Sequence, residues 1–254
     1  MIEIFVFGSA RAHDAGRGTV LTDFQGVKPR QVLNILALNQ ACPMTKDRLA
    51  DVLWQGSPPS SWISTLEGYV SLLRQSLQRG VAARDSVVLT RGAGYRLDPS
   101  RVWIDVAHFD DLVGQAATAP AELALARYCE ALALVTGEIC ESERTTPWII
   151  EARDRYHERV RRAATAAGRL ALRQGHAELA ADFGRRACEL DPLAEEGWQI
   201  LIEAHWRAER RTEALRSFSS VRALLHRELG VLPGRALQQL YTEVLRDEQV
   251  FQVA

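Results

Sequence analysis

The chain is short of several things, and each shortage narrows the reading. It has four cysteines, Cys42, Cys129, Cys140 and Cys188, with no CxxC pair and no histidine at ligand spacing from them. That pattern argues against a zinc site or a disulfide framework, and the four are expected to be reduced packing residues with no metal bound. No apolar run approaches the roughly 20 residues that a membrane-spanning helix needs. The opening stretch MIEIFVFGSARAHD lacks the basic start and long apolar core of a signal peptide; it reads as a strand, and a cytoplasmic protein is expected. Charge of one sign is also missing: the net charge is −1, which disfavours a generic polyanion binder. The six histidines are scattered and read as surface or packing residues. No catalytic triad, no motif of paired acid and base carboxylates and no nucleotide fingerprint is found, so neither enzymatic activity nor a cofactor is expected.

What remains is a globular composition, 47% hydrophobic and 25% charged, over 254 residues, enough for two ordinary domains. The charge is unevenly spread. Residues 1–105 hold 12 Lys+Arg and 9 Asp+Glu, a net of +3, and residues 106–254 hold 19 and 23, a net of −4. A mildly basic front and an acidic rear point to two modules with different partners.

The front module begins with IEIFVFG (2–8), β-branched and aromatic, and a second strand signal, GRGTVL (16–21), follows a polar turn. The period then changes. In residues 28–40, Val32, Ile35, Leu36 and Leu38 suit a helix with one buried stripe. Pro43 breaks it, and Thr45 is placed to cap the next helix, TKDRLADVLW, with Leu49, Val52 and Leu53 inward. The loop QGSPPSS (55–61) offers serines to cap a third helix, WISTLEGYVSLLRQSLQRG. There Ile63, Leu66, Val70, Leu73 and Leu77 form an apolar stripe. The opposite face holds Ser61, Ser64, Gly68, Ser71, Leu72, Gln75 and Arg79, flanked by Thr65 and Arg74. A merely solvated face usually carries Glu and Lys; small polar residues instead permit close approach to another surface.

After Gly80, the strand-like runs SVVLT and YRLD are joined by RGAG. Three readings of that glycine-rich turn compete. A phosphate cradle needs its glycines to lead from a strand into a helix, with a lysine following, whereas these lead from strand to strand. A plain structural hairpin with an incidental arginine is the second. The third, and favoured, is a wing: two helices with a tight connection, the second polar-faced, then a hairpin that carries Arg91 outward, toward a narrow minor groove.

From Asp105 onward almost everything reads as helical, after a short link at Pro99 and Ser100. Trp198, Leu201, Ala214 and Phe218 fall at the offsets of a tetratricopeptide repeat, and 34 residues earlier stand Ala164, Ala167, Ala180 and Gly184. Gly168 and Pro192 also occupy signature places. Two helical hairpins are therefore expected, about 161–194 and 195–228, preceded by a more divergent pair around 106–135 and 147–160 and followed by a final helix after Pro233. Stacked hairpins offer a concave surface to a peptide or protein; a packing scaffold or dimer support is the plainer alternative. Trp198, Trp206 and Phe218 read as core.

TRGAGYRL resembles the C-terminal hairpin of OmpR-type winged-helix domains, YVSLLRQSL the end of their recognition helix, and DRLADVLW the helix before it. With IDVAHFDDLV, LDPLAEEGWQILIEAHWRAERRTEALRSF and ELGVLPGRALQQLY, the whole chain resembles the Streptomyces antibiotic regulatory proteins, in their small form without receiver or ATPase modules. The resemblance implies a mainly α fold: an OmpR-type winged helix-turn-helix over 1–98, and over 105–254 an all-α bacterial transcriptional activator domain with tetratricopeptide-like repeats. It implies a transcriptional activator that binds double-stranded DNA at tandem direct repeats, as a head-to-tail dimer, upstream of biosynthetic promoters, and recruits RNA polymerase. Carried over residue by residue, Arg91 is the wing arginine, Ser64, Thr65, Gly68, Ser71 and Leu72 face the groove, and Arg74 meets a phosphate. Thr45, Lys46, Ser61 and Gln75 complete the DNA-binding set. Leu72 stands where many relatives carry arginine, and LVTG (134–137) departs from the more frequent LWRG. A second function stays open: a helical-repeat adaptor whose winged helix binds protein instead of DNA.

Overall fold

The computed structural model describes residues 1–246 except 15, 17 and 41; Arg17 of the second strand signal and the end of the rear module, 247–254, lie outside them. Packing divides the chain into two compact units. One comprises Met1–Asp111 and Ala133–Tyr156, the other Leu112–Leu132 and His157–Ala254. Residues 105–111 and 133–156 thus pack with the winged-helix part, although in sequence they follow the junction at 98–105.

In the first unit the chain order is β1 (Ile2–Phe5), β2 (Arg11–Asp14), β3 (Thr19–Leu21), α1 (Val27–Leu38), β4 (Met44–Thr45), α2 (Lys46–Trp54), α3 (Trp62–Leu77), β5 (Val88–Arg91), β6 (Gly94–Leu97) and β7 (Val102–Ile104). Four strands form one sheet in the order β3-β2-β1-β7, with β1 antiparallel to β2 and parallel to β7. Two of them escape local sequence signals. β2 was expected to be a polar turn: Ala12 is buried, but Arg11 and His13 face outward, Arg11 4.3 Å from the Phe5 ring and His13 Nδ1 2.9 Å from Glu3. β7 falls just after the expected link, with Val102 and Ile104 buried on β1.

The helical stripes are confirmed. Val32, Ile35, Leu36 and Leu38 of α1 are buried, as are Leu49 and Leu53 of α2, where Val52 is only half-buried, and Leu66, Val70, Leu73 and Leu77 of α3. At about 1.5–3 kcal/mol per large side chain, the four α3 residues contribute about 6–12 kcal/mol of gross burial. Ile63 does not join them and is 50% exposed. At about 100° per residue it lies about 50° off the centre of the stripe the other four define. The connection between α2 and α3 is the expected loop at 55–61; its seven residues exceed a tight turn because Pro58 and Pro59 hold the chain out of helix.

Segment 133–156 is anchored to this unit in two ways. Residues 138–141 run alongside 6–8, with Gly8 N–H donating to Glu138 O (2.8 Å) and Cys140 N–H to Val6 O (2.7 Å). The Glu143 carboxylate is buried against α1, accepting from Arg30 Nε (2.7 Å), Gln31 Nε2 (3.0 Å) and Asn34 Nδ2 (3.1 Å). The rear half was expected to be almost wholly helical; residues 135–146 are its main non-helical stretch. At the start of α4 (Asp105–Thr118) the Asp105 carboxylate is buried and accepts the backbone N–H groups of Val6, Phe7 and Val106 at 2.7–3.0 Å.

The second unit contains the rest of α4, α5 (Ala121–Leu134), the later part of α6 (Pro147–Arg173), α7 (Ala177–Leu190), α8 (Glu195–Arg207), α9 (Arg211–Leu229) and α10 (Arg235–Arg246). The hairpins α6–α7 and α8–α9 are those expected from the repeat offsets, and α10 is the expected final helix. Two boundaries differ: the helix expected around 106–135 is two, α4 and α5, parted just before Pro120. The helices placed at 147–160 and from 161 are a single helix, because the run is rich in Arg and Ala and no proline or capping residue stands at the expected break, His157–Ala163. The repeat's small residues do what the spacing implied: a Cβ on Gly184 would stand 2.8 Å from Leu201 N, so α7 and α8 meet backbone to backbone there. Phe218 is core, stacked on Tyr241 at 4.1 Å, with Trp198 and Trp206 packed against the same cluster.

Among the described residues no helix is long and apolar enough to cross a membrane, and no group of His, Cys, Asp or Glu could hold a metal ion. All four cysteines are free. Cys140 and Cys188 are buried packing residues, and burial pushes the Cys188 thiol up to about 12. Cys42 departs from that reading and is exposed.

Candidate nucleic-acid interface

The face built from α2, α3 and the β5–β6 hairpin begins at Thr45. Its backbone is extended and its hydroxyl accepts the Arg48 N–H (3.2 Å), so it caps α2 as expected. Ser61 stands at the start of α3, but its side chain does not cap the helix. Its backbone is not extended as a cap requires, and its hydroxyl lies 3.4 Å from that of Thr65. Ser61 O instead accepts the hydroxyls of Ser64 (3.0 Å) and Thr65 (2.9 Å). These two hydroxyls donate inward and present lone pairs outward.

Along α3, Ser61, Ser64, Gly68, Ser71 and Gln75 are exposed, while Thr65, Leu72 and Arg74 are half-buried. A Cβ on Gly68 would meet nothing within 4 Å, so the helix surface is flat at its middle. The sequence-derived phase therefore places these residues on one open, small and weakly charged face, with Leu72 at its edge.

The three candidate cations differ in their surroundings. Lys46 Nζ donates to Glu67 Oε1 at 2.6 Å and lies 5.8 Å from the Tyr95 ring; the hydrogen bond to Glu67 raises its pKa. Arg74 turns toward the hairpin. Its Nε and Nη2 donate to Val88 O (3.1 and 2.8 Å), Nη2 also donates to Thr90 Oγ1 (3.0 Å), and the guanidinium stands 5.9 Å from Tyr95. Arg91 is exposed at the end of β5 and makes no side-chain hydrogen bond or ion pair among the described residues.

Tyr95 and Glu67 organise this corner, and sequence reasoning missed both. Tyr95 is 4% exposed on β6, and burial raises its phenol pKa. Nothing local marks them, since their partners come from α2, α3 and β6 together.

The hairpin itself shows why its glycines are there. Gly92 has φ 55°, the first central position of a two-residue turn between the paired Arg91 and Gly94. Gly94 was also expected to use positive φ, and it does not. Its constraint is steric: a Cβ would fall 1.9 Å from Met44 O, because β4 lies close alongside, with Thr45 paired to Gly94. The turn leads from strand to strand and projects one arginine, so the phosphate-cradle geometry is absent.

With this geometry in place, comparison with known proteins gives a consistent picture. The family of transcriptional regulatory protein C-terminal domains matches residues 26–97, and the bacterial transcriptional activator domain matches residues 104–245. The regulatory protein DnrI of Streptomyces peucetius is 31% identical over 96% of this chain and 92% of its own length. The chain belongs to the Streptomyces antibiotic regulatory protein family. It is thus a transcriptional regulator with an OmpR-type domain and an activator domain, and its family is not one of enzymes. The regulatory protein AfsR of Streptomyces griseus is 30% identical over 96% of this chain, which spans 24% of AfsR. A solved structure of Mycobacterium tuberculosis EmbR, in complex with a low affinity phosphopeptide, matches with a TM-score of 0.80 and 27% identity over 96% of this chain. This antibiotic regulatory protein corresponds to 65% of that EmbR chain.

Proposed function

We propose that this regulator is a sequence-specific DNA-binding activator of a secondary-metabolite gene cluster. It reads the major groove with α3 and the adjacent minor groove with Arg91, on tandem direct repeats upstream of its promoters, and its activator domain recruits RNA polymerase. The observation that carries the reading is the pairing of two features on one side of the fold. α3 presents an uncrowded face of Ser61, Ser64, Gly68, Ser71 and Gln75, and the hairpin beside it ends in an exposed arginine that makes no side-chain hydrogen bond or ion pair among the described residues. Small side chains let a helix seat deeply in a groove about 12 Å wide, and a projecting guanidinium suits the negative potential of a narrow minor groove. Direct repeats require copies in the same orientation, about one helical turn apart, and hence a head-to-tail contact.

Gel shift on promoter fragments containing direct repeats tests this. Arg91→Ala is expected to weaken operator binding by about 1–3 kcal/mol without moving the thermal melt. Operator affinity left unchanged by Arg91→Ala would remove the wing assignment. A second reading, a protein-binding adaptor, draws on Lys46 and Arg74 being engaged within the domain and on Leu72 being apolar. Absence of any shift on those fragments, with a folded protein, decides for the adaptor.

A further inference from the structure

The winged-helix face does not contain the densest run of positive charge in the molecule. That run lies in the second unit, in the stretch RVRRAATAAGRLALR, residues 159–173 of α6, which holds five arginines and no acidic residue. Its burial pattern is selective. Apart from Ala166, every side chain of the stretch that is not buried is an arginine. Arg159, Arg162, Arg169 and Arg173 are exposed, while Val160, Ala163, Ala164, Ala167, Leu170 and Ala171 are packed inside.

The four exposed arginines share one face. At about 100° per residue, Arg159, Arg162, Arg169 and Arg173 stay within about 80° of one another, and Ala166 occupies the place between the two pairs. They form a straight rail about 21 Å long at 1.5 Å of rise per residue. Carboxylates touch the rail at its edges, among them Glu158, 2.6 Å from Arg162 Nε and bonded also to Arg161, and Glu196 of α8, 3.3 Å from Arg169 Nη2, and Arg159 is also engaged. Arg159 and Arg162 at i,i+3, and Arg169 and Arg173 at i,i+4, are like-charge neighbours, an arrangement that costs an isolated helix a few tenths of a kcal/mol per pair. A solvated helix face avoids this by interleaving acids; this one does not.

We infer that the α6 arginine rail is a second DNA-binding surface, which engages the phosphate backbone of duplex DNA without reading sequence. The inference rests on the proposed DNA-binding function and adds a contact outside the winged helix. Three features favour a phosphate backbone over an acidic protein segment. The cations are all arginine, whose planar fork pairs with phosphate oxygens two at a time. No large apolar side chain is exposed in the stretch, whereas a protein interface has an apolar core. The charges run in a line, as phosphates do along a strand.

The test uses the full chain and a duplex of arbitrary sequence several helical turns long, on which only backbone contacts count. Arg159→Gln, Arg162→Gln, Arg169→Gln and Arg173→Gln are combined in one variant, and Lys replaces the same four in another. Each phosphate contact contributes about 0.9 to the slope of log affinity against log salt, so the Gln variant should lose a slope of up to about 3.6. Over a fourfold rise in salt, wild-type affinity should then fall by up to about a hundredfold more than that of the Gln variant. The Lys variant should keep most of the slope, and both should melt as the wild type does. If the fourfold Gln variant does not fold, the pairs Arg159→Gln/Arg162→Gln and Arg169→Gln/Arg173→Gln should each remove about half of that slope. An unchanged slope in a folded Gln variant overturns the inference. So does unchanged DNA affinity with loss of transcription, which assigns the rail to an acidic protein partner. Failure of the wild type to bind any duplex, operator included, refutes the DNA-binding function itself and is thereby distinct.

Discussion

Arg74 separates two accounts of the recognition helix. The family pattern implies a phosphate contact, but the side chain spends three hydrogen bonds on the hairpin, two on Val88 O and one on Thr90 Oγ1. As a strut, it sets the angle between α3 and the strand that ends in Arg91. Hydrogen bonds to a charged group are worth about 1.5–3 kcal/mol each when a partner is removed, but these share one guanidinium that is half-exposed. After discounting for solvent, about 2 kcal/mol is expected in total, with a small further loss at Tyr95. Arg74→Ala should therefore lower the unfolding free energy measured in urea by that amount and also weaken operator binding. The discriminating variant is Arg74→Lys. An ammonium keeps the charge but cannot span Val88 O and Thr90 Oγ1 as a fork does, so a strut predicts that Lys behaves like Ala in both assays, with the salt slope unchanged. A phosphate contact predicts the reverse: Lys nearly normal, Ala lowering the slope by about one. Normal stability of Arg74→Ala with that loss of slope would refute the strut.

Two further outcomes follow from the same unit. Gly94→Ala places a methyl 1.9 Å from Met44 O, so β4 must move off β6 and the Lys46 N–H to Ala93 O bond (2.9 Å) must stretch; denaturant unfolding should show a loss of about 2–4 kcal/mol. Asp105 has its pKa raised to about 6 from 3.8 by burial, against the opposing pull of its backbone N–H donors. Because the folded state then holds the proton more tightly than the unfolded, its contribution to stability is greatest below pH 4 and falls by about 3 kcal/mol as pH rises from 4 to 6. Urea midpoints across that window should lose this component in Asp105→Asn, and equal pH profiles for the two proteins would show that Asp105 does not titrate there.

Much of this architecture is written in local pattern. The spacing of Leu66, Val70, Leu73 and Leu77 fixes the phase of α3, and with it the exposed set from Ser61 to Gln75, because one helical period relates buried and open faces rigidly. The repeat offsets find α8 and α9 for the same reason. What stays hidden is whatever depends on distant partners. Arg11 and His13 look like loop residues until Phe5 and Glu3 lie beside them. Lys46 and Arg74 look like free cations until Glu67, Val88 O and Thr90 are brought to them. Glu143 and its three donors on α1 are more than 100 residues apart, and no periodicity connects them.

The parallel pairing of β1 with β7 bears on how the chain comes into being on the ribosome. Ile2, Ile4 and their neighbours leave the exit tunnel first, yet one edge of their strand is completed only by Val102–Ile104, and the N–H groups of Val6 and Phe7 only by Asp105. At about 5–20 residues per second, that partner follows about 5–20 s later. Until then β1 has only the short antiparallel ribbon of β2 and β3 on one side, and its other edge stays open. The front domain thus carries long loop closure into an otherwise locally connected helical protein, and it is the part whose folding should be slowest and most in need of a chaperone during synthesis.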